Sequence, residues 1–367
     1  MKRVRVSDLR PGMKTAEDVF SYNNQMIVPK GSVLDDKMIT RLEFYSVLAV
    51  RVLDESEDDQ VDGSSSGSGS SDSGEDQSYS QRVKNSKQFK QFEKSFLETT
   101  EIFKENLRSI AEDGAEIDSR AMIDSITGLV EGDMTGSSVF DMLHNMRQYD
   151  DFTYMHSMNV ALICNVFAKW LKMSERDVDI LTLGGLLHDI GKLKIPDNII
   201  HKPDKLSPAE YNIIKTHSLQ GYNILKDKNI DENVKQCALM HHERSDGSGY
   251  PLGVTAEKIN NYAKIVSIAD VYDAMTAARI YRGPLCPFKV ISIFESEGLH
   301  KYDGHYLLTF LEHVVTTYMN NRVRLNNGLE GDVIFMNRNQ YSRPMLQCGD
   351  KFIDLSKEPD LYIETFV

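Results

Sequence analysis

Between residues 156 and 270 the sequence sets seven metal-ligating side chains, His156, His188, Asp189, His217, His241, His242 and Asp270, in stretches whose apolar residues recur at helical spacing. His156 is followed by Val160, Ile163, Phe167 and Trp170, steps of four and three that put its imidazole on the apolar stripe. His217 shares a helical face with Ile213, Gly221 and Ile224, and Asp270 shares one with Ala263, Val266, Ala274 and Ala277. The pair His188-Asp189 follows the apolar run 181–187, whereas His241 and His242, adjacent on one helix, point in two directions. A lone histidine on an apolar face is ordinarily a hydrogen-bonded core residue. Seven inward-facing ligands are harder to explain that way, because a buried charged Asp is costly unless it is paired or bound to a metal. Imidazoles mixed with carboxylates suit Mn, Fe, Zn or Co rather than Mg or Ca. The set also exceeds the four ligands that one zinc takes, which points to two metals.

Two neighbours bear on the substrate. Lys192 lies four residues after His188, so it aims an ammonium at the same cavity, and a cation beside metals implies an anion, most simply a phosphate. The segment Asp246-Gly247-Ser248-Gly249-Tyr250-Pro251 begins soon after the double histidine. Its two glycines and its proline make a tight loop that can hold Tyr250 near the site.

The rest of the chain reads as flanking modules. Its 367 residues predict two or three domains, and 41% hydrophobic residues are enough for a real core. Residues 1–54 read as a small α/β unit: strands around Val4-Arg5-Val6, 18–20, 25–28 and 47–53, and a helix carrying Met38, Ile39, Leu42 and Tyr45. Residues 55–80 are acidic and rich in Ser and Gly, the composition of a disordered linker. From 79 to 113 Phe89, Phe92, Phe96, Phe103, Leu107 and Ile110 form a broad apolar stripe, a core helix or a homodimer seam. Residues 118–320 are mostly helical, with a capping box at Ser207-Pro208-Ala209-Glu210. Residues 321–367 switch to short β-like runs, with a hairpin over Val323–Met336 and strands at 345–348 and 352–355.

Charge and cysteine usage exclude other classes. Net charge is −13, and nine acids with no Lys or Arg fall between Asp54 and Asp76. A basic face for duplex nucleic acid is therefore not expected. Four cysteines, far apart, argue against a disulfide framework and fit a reducing compartment. The N-terminus does not read as a secretory signal, and the apolar run 160–171 is too short to span a bilayer, so a cytoplasmic protein without membrane insertion is expected.

His188-Asp189-Ile190-Gly191-Lys192, His217, His241-His242-Glu243-Arg244, the loop ending in Gly249-Tyr250-Pro251, and Ala269-Asp270-Val271-Tyr272-Asp273-Ala274-Met275 together resemble the HD-GYP family of bacterial cyclic-di-GMP phosphodiesterases. The resemblance covers roughly residues 118–320. The segment Val6-Ser7-Asp8-Leu9-Arg10-Pro11-Gly12-Met13 resembles the opening of the small domain often found before it. The implied fold is mainly α, an HD-domain helical bundle with a small α/β N-terminal domain and a short β C-terminal extension. The resemblance implies one metal on His156, His188, Asp189 and Asp270, and a second on His217, His241 and His242, with Asp189 bridging. The metals would be divalent, Fe or Mn foremost. Lys192 would contact the scissile phosphate, and Tyr250, Arg279 and Arg282 would lie near the ligand phosphates and guanine. Some members carry a Glu four residues before the first His and hold three metals; Phe152 stands there in this chain, so two are expected. The implied reaction is attack of a metal-bridging hydroxide on cyclic-di-GMP, giving linear pGpG or, by a second cleavage, GMP. The alternatives are an HD phosphohydrolase acting on another nucleotide, and a non-catalytic scaffold that meets diguanylate cyclase (GGDEF) partners through the GYP surface.

Overall fold

In the computed structural model the described residues are 2–6, 9–10, 12–16, 19–20, 26–34, 38–39, 42, 49–53, 83–130, 136–146, 152–200, 202, 206–277 and 285–367. The chain divides into two compact units, one within Met1–Asp76 and one running from the connecting helix to the C-terminus. The acidic 55–80 segment, Arg279 and Arg282 lie outside the described residues.

In the first unit β1 (Lys2–Arg5) pairs antiparallel with β4 (Ala49–Val52), and β2 (Val19–Phe20) with β3 (Met26–Val28). Val4, Val6, Leu9, Val28, Leu34, Leu42 and Val50 make its core. Thr15 is fully buried there, and its hydroxyl donates to the carbonyl of Pro29 at 2.8 Å, so this buried polar side chain is satisfied.

The second unit is a helical bundle with a sheet at its C-terminal end. Among the described residues its longer helices are α1 (Lys87–Arg108), α2 (Ser119–Thr127), α3 (Gly136–Asn145), α4 (Phe152–Trp170), α5 (Glu175–Leu187), α6 (Pro208–Lys215), α7 (His217–Leu225), α8 (Glu232–Met240), α9 (Asn261–Thr276), α10 (Pro287–Ile293) and α11 (Gly304–Thr317). Local chemistry sets several starts. The Ser86 side chain accepts from the N–H of Phe89, Ser174 caps α5, Asn260 caps α9, and Ser207 and Glu210 form the expected reciprocal capping box of α6. Helix α4 is buried on nearly every side, and it packs against α5 and α9. The aromatic stripe of α1 is buried in this same core, so it is used inside the chain. Phe140, Phe167, Trp170, Tyr272 and Phe310 form a second aromatic cluster, on the side where α3, α4, α9 and α11 meet.

The C-terminal sheet is antiparallel in the order β8-β7-β6-β5-β9. The hairpin of β5 (Arg322–Leu325) and β6 (Glu330–Phe335) turns through Gly328 at a φ of +85°, a backbone that favours glycine. Strands β7 (Met345–Cys348) and β8 (Lys351–Asp354) follow, and β9 (Ile363–Phe366) closes against β5. Only β9 went unread in the sequence, because its partner lies about forty residues back and no turn announces it. Among the described residues no helix is long and apolar enough to cross a membrane.

Two sequence expectations need correction. His217 does not sit inside one continuous helix, because α6 ends at Lys215 and α7 starts at His217. His241 and His242 do not diverge along a helix either: α8 ends at Met240, His241 caps it, and the chain turns at His242.

Candidate metal centre

Three of the histidines share one device. Each stands just past the end of a helix, and its Nδ1 faces the carbonyls of that helix's last turn. The distances are 2.7 Å from His188 to the carbonyl of Gly185, 2.7 Å from His217 to Ile214, and 3.0 and 3.1 Å from His241 to Cys237 and Ala238. A carbonyl only accepts, so each Nδ1 carries the proton and each Nε2 is left with a bare lone pair. The last-turn carbonyls lack intrahelical partners, which is why helix ends can supply these acceptors.

The three Nε2 atoms point at one carboxylate. Asp189, 2% exposed, has Oδ2 at 3.2 Å from His188 Nε2, and Oδ1 at 3.3 Å from His217 Nε2 and 3.7 Å from His241 Nε2. His217 and His241 also bring their Nε2 atoms to 3.2 Å of each other. Two lone pairs so close repel unless a cation lies at hand. His188 Nε2 and Asp189 Oδ1 are buried with no hydrogen-bond partner, a state that ordinarily costs about 1–3 kcal/mol each. This pattern fits a metal site, because metal ligation satisfies lone pairs that no donor reaches.

The ligand atoms fall into two groups that share Asp189. One contains Asp189, His217, His241 and His242; the other contains His156, His188 and Asp189. Asp270 lies between them, with Oδ1 at 3.0 Å from His156 Nε2 and Oδ2 at 3.8 Å from His242 Nδ1. The structure thus brings together all seven ligand residues read from the sequence. Lys192 donates to Asp189 Oδ2 from the turn that follows α5. Tyr250 stacks on His242 with ring centroids 4.6 Å apart. Phe152 opens α4, but its side chain, like Arg279 and Arg282, lies outside what the structure describes.

Electrostatics divide the histidines. Burial and the neighbouring rings hold His241 well below its ordinary range, and burial pushes His242 down to about 3 and His217 down as well. These rings are neutral at neutral pH, the form in which an imidazole can ligate a metal. Burial also opposes charge on His156, but its hydrogen bonds to Asp270 and Asp273 outweigh that and raise it to about 9. Burial works against an ionised Asp189, yet the Lys192 ammonium and the imidazoles beside it hold the carboxyl well below the usual carboxylate range.

Two supporting residues, Asp273 and Glu243, were given no role of their own in the sequence. Asp273 Oδ2 accepts a hydrogen bond from His156 Nδ1 at 2.7 Å, and its Oδ1 accepts from Asn159 at 3.1 Å. Asp273 is one turn beyond Asp270 on the same buried face, and that placement was the available signal. Glu243 is 2% exposed and accepts from the backbone N–H groups of Leu252, Gly253 and Val254. It ties the loop after Tyr250 to the histidine pair. Gly249 lies flat on that pair's backbone: a Cβ there would overlap Glu243 Cα, the nitrogen of Arg244 and the oxygen of His242.

Asp273→Asn is expected to loosen His156 and lower metal affinity about 10- to 100-fold, as read by metal titration. An unchanged affinity would remove Asp273 from the support of the site.

With this geometry in hand, comparison with known proteins is informative. The HD domain family model matches residues 138–306. The chain is 34% identical over 205 residues to the cyclic di-GMP phosphodiesterase PA4108 of Pseudomonas aeruginosa, covering 56% of this chain and 48% of that protein. It is 42% identical over 146 residues to the 3'3'-cGAMP-specific phosphodiesterase 1 of Vibrio cholerae, covering 40% and 34%. It is 40% identical over 149 residues to a cyclic di-GMP phosphodiesterase of Thermotoga maritima, covering 40% of each. Residues 138–306 are therefore similar to the HD domain family. The His188-Asp189 dyad and the Gly249-Tyr250-Pro251 triplet agree with its HD-GYP branch. The chain spans about half or less of the length of these relatives.

Proposed function

We propose that this chain is a metal-dependent phosphodiesterase that hydrolyses cyclic-di-GMP to linear pGpG, with GMP as the product of any second cleavage. The observation that carries the reading is the Asp189 carboxylate, shared by two converging ligand groups, with His188 Nε2 and Asp189 Oδ1 buried and reached by no donor. His156, His188, Asp189 and Asp270 would hold one divalent metal, and Asp189, His217, His241 and His242 a second, with Fe or Mn suited to such mixed ligands. Metals bound there would supply a nucleophile at neutral pH and neutralise charge on the phosphoryl oxygens.

The chain's own residues do the remaining work. The three Nδ1–H bonds to helix carbonyls hold the His188, His217 and His241 rings in the ligating tautomer. Asp273 holds the Nδ1 proton of His156 and so orients its Nε2. Lys192 neutralises Asp189 in the metal-free chain. Once metals take over that charge, its ammonium serves the scissile phosphate. Tyr250, with Arg279 and Arg282, would lie near the ligand phosphates and guanine. GGDEF partners, pairing of two copies through helix 79–113 and a cytoplasmic setting go with this reading as further proposals.

Lys192→Ala separates substrate binding from metal binding. It is expected to keep its metals while kcat/KM for cyclic-di-GMP falls roughly 10- to 150-fold, the worth of one charge-assisted hydrogen bond. Loss of the metals in this variant would move Lys192 out of the phosphate-binding role. A second substrate reading comes from the Vibrio cholerae relative named as specific for 3'3'-cGAMP. Turnover of cyclic-di-GMP, 3'3'-cGAMP and cyclic-di-AMP side by side tests it. Preferred cleavage of cyclic-di-GMP supports the first reading, and preference for 3'3'-cGAMP replaces it.

A further inference from the structure

A cleft of about 600 Å³ opens beside Lys192, within the size range of small-molecule sites. One wall comes from α1, outside the segment that matches the HD domain model, and contributes Lys104 and Arg108. These two are four residues apart and so share one helix face. Lys104 is 24% exposed, and its ammonium lies 5.5 Å from the ring of the buried Tyr154. On the adjoining face of α1, Phe96, Phe103 and Leu107 are sunk in the core, so the two cations are presented by a rigid element rather than a loop. Leu193, Ile195 and Pro196 give the cleft an apolar floor. Glu112 and Asp197 add carboxylates among the cations, acceptors that match the adjacent N1–H and N2–H donors of a guanine edge.

A cyclic dinucleotide carries two phosphates on opposite sides of one ring, and only one of them can be at Asp189. The other half must lie to one side of the metal centre, and Lys192 borders both the centre and the cleft. We infer that this cleft holds the half of the cyclic dinucleotide that is not being cleaved. Lys104 and Arg108 take its phosphate, and the floor lies under its base. This rests on the phosphodiesterase reading and adds to it a subsite supplied by the connecting helix.

The test uses the full chain and the variant Lys104→Gln/Arg108→Gln, which removes both charges at partly exposed positions. Two quantities are read: the Kd of metal-depleted protein for cyclic-di-GMP by calorimetry, and the kinetics of metal-loaded protein. Both Kd and KM are expected to rise at least about 10-fold, with a smaller change in kcat. The salt dependence of Kd should weaken as well. Arg108→Gln alone, at an exposed position, should give part of the loss. Lys94→Gln is the control, since Lys94 is on the same helix but 76% exposed and away from the cleft, and it should bind like wild type. Wild-type Kd and KM in the double variant, or an equal loss in Lys94→Gln, would overturn the subsite while leaving the phosphodiesterase reading intact. A wild-type chain that neither binds nor cleaves any cyclic dinucleotide would sink both.

Discussion

Asp189→Ala should abolish both metal binding and hydrolysis. Asp189 is the one carboxylate common to the two ligand groups, and it lies within 3.7 Å of the Nε2 atoms of His156, His188, His217 and His241. Removing it takes away the carboxylate that faces the His217 and His241 lone pairs and takes from Lys192 its Asp189 partner. Turnover is expected to fall by more than about 10³-fold, beyond the loss of a single transition-state hydrogen-bond donor. Elemental analysis of the same variant should find it depleted of metal. Asp189→Asn keeps the shape and one ligating oxygen but loses the charge, so it should fall between the two. A wild-type metal content and rate in Asp189→Ala would remove the shared-carboxylate centre altogether.

Gly191→Ala is expected to have the next largest effect, although residue 191 ligates nothing. The turn after Asp189 is pressed against the start of α7, and a Cβ at Gly191 would overlap the carbonyl oxygen of His217 and the backbone nitrogen of Gly221. Both obstacles are backbone, so neither can rotate away. The turn that holds Asp189 and the helix end that holds His217 must then separate. Overpacking of this kind costs about 1–3 kcal/mol, and a displacement on the order of 1 Å can cost about 100-fold in rate. The variant should melt earlier and take up metal weakly, while Gly304→Ala, where a Cβ meets nothing within 4 Å, should do neither. Equal metal affinity in Gly191→Ala and wild type would mean that this contact does not set the geometry of the centre.

The site was legible in the sequence where identity and periodicity coincide. His156 and Asp270 were readable because their helices are apolar at regular steps, and the Ser207–Glu210 cap because both partners lie within four residues. The hairpin at Gly328 was readable for the same local reason. What escaped depends on distant partners. Asp273 acquires its role from His156, 117 residues away, and Glu243 from backbone groups nine to eleven residues on. The helix breaks at Thr216 and at His241 carry no Gly or Pro, so the pattern ran through them. Yet those breaks let the histidines donate to last-turn carbonyls, which is how they come to converge. Lys104 and Arg108 look in sequence like any solvated face of an amphipathic helix; only the packing of α1 brings them to the wall of a cleft.

The most direct test of the account measures metal content and turnover on one preparation. Full-length protein is loaded anaerobically with Fe or Mn, desalted, and divided between elemental analysis and incubation with cyclic-di-GMP. The account predicts close to two metals per chain and conversion of the substrate to linear pGpG. Folded protein that retains no transition metal, or that holds two and leaves every cyclic dinucleotide intact, would contradict it.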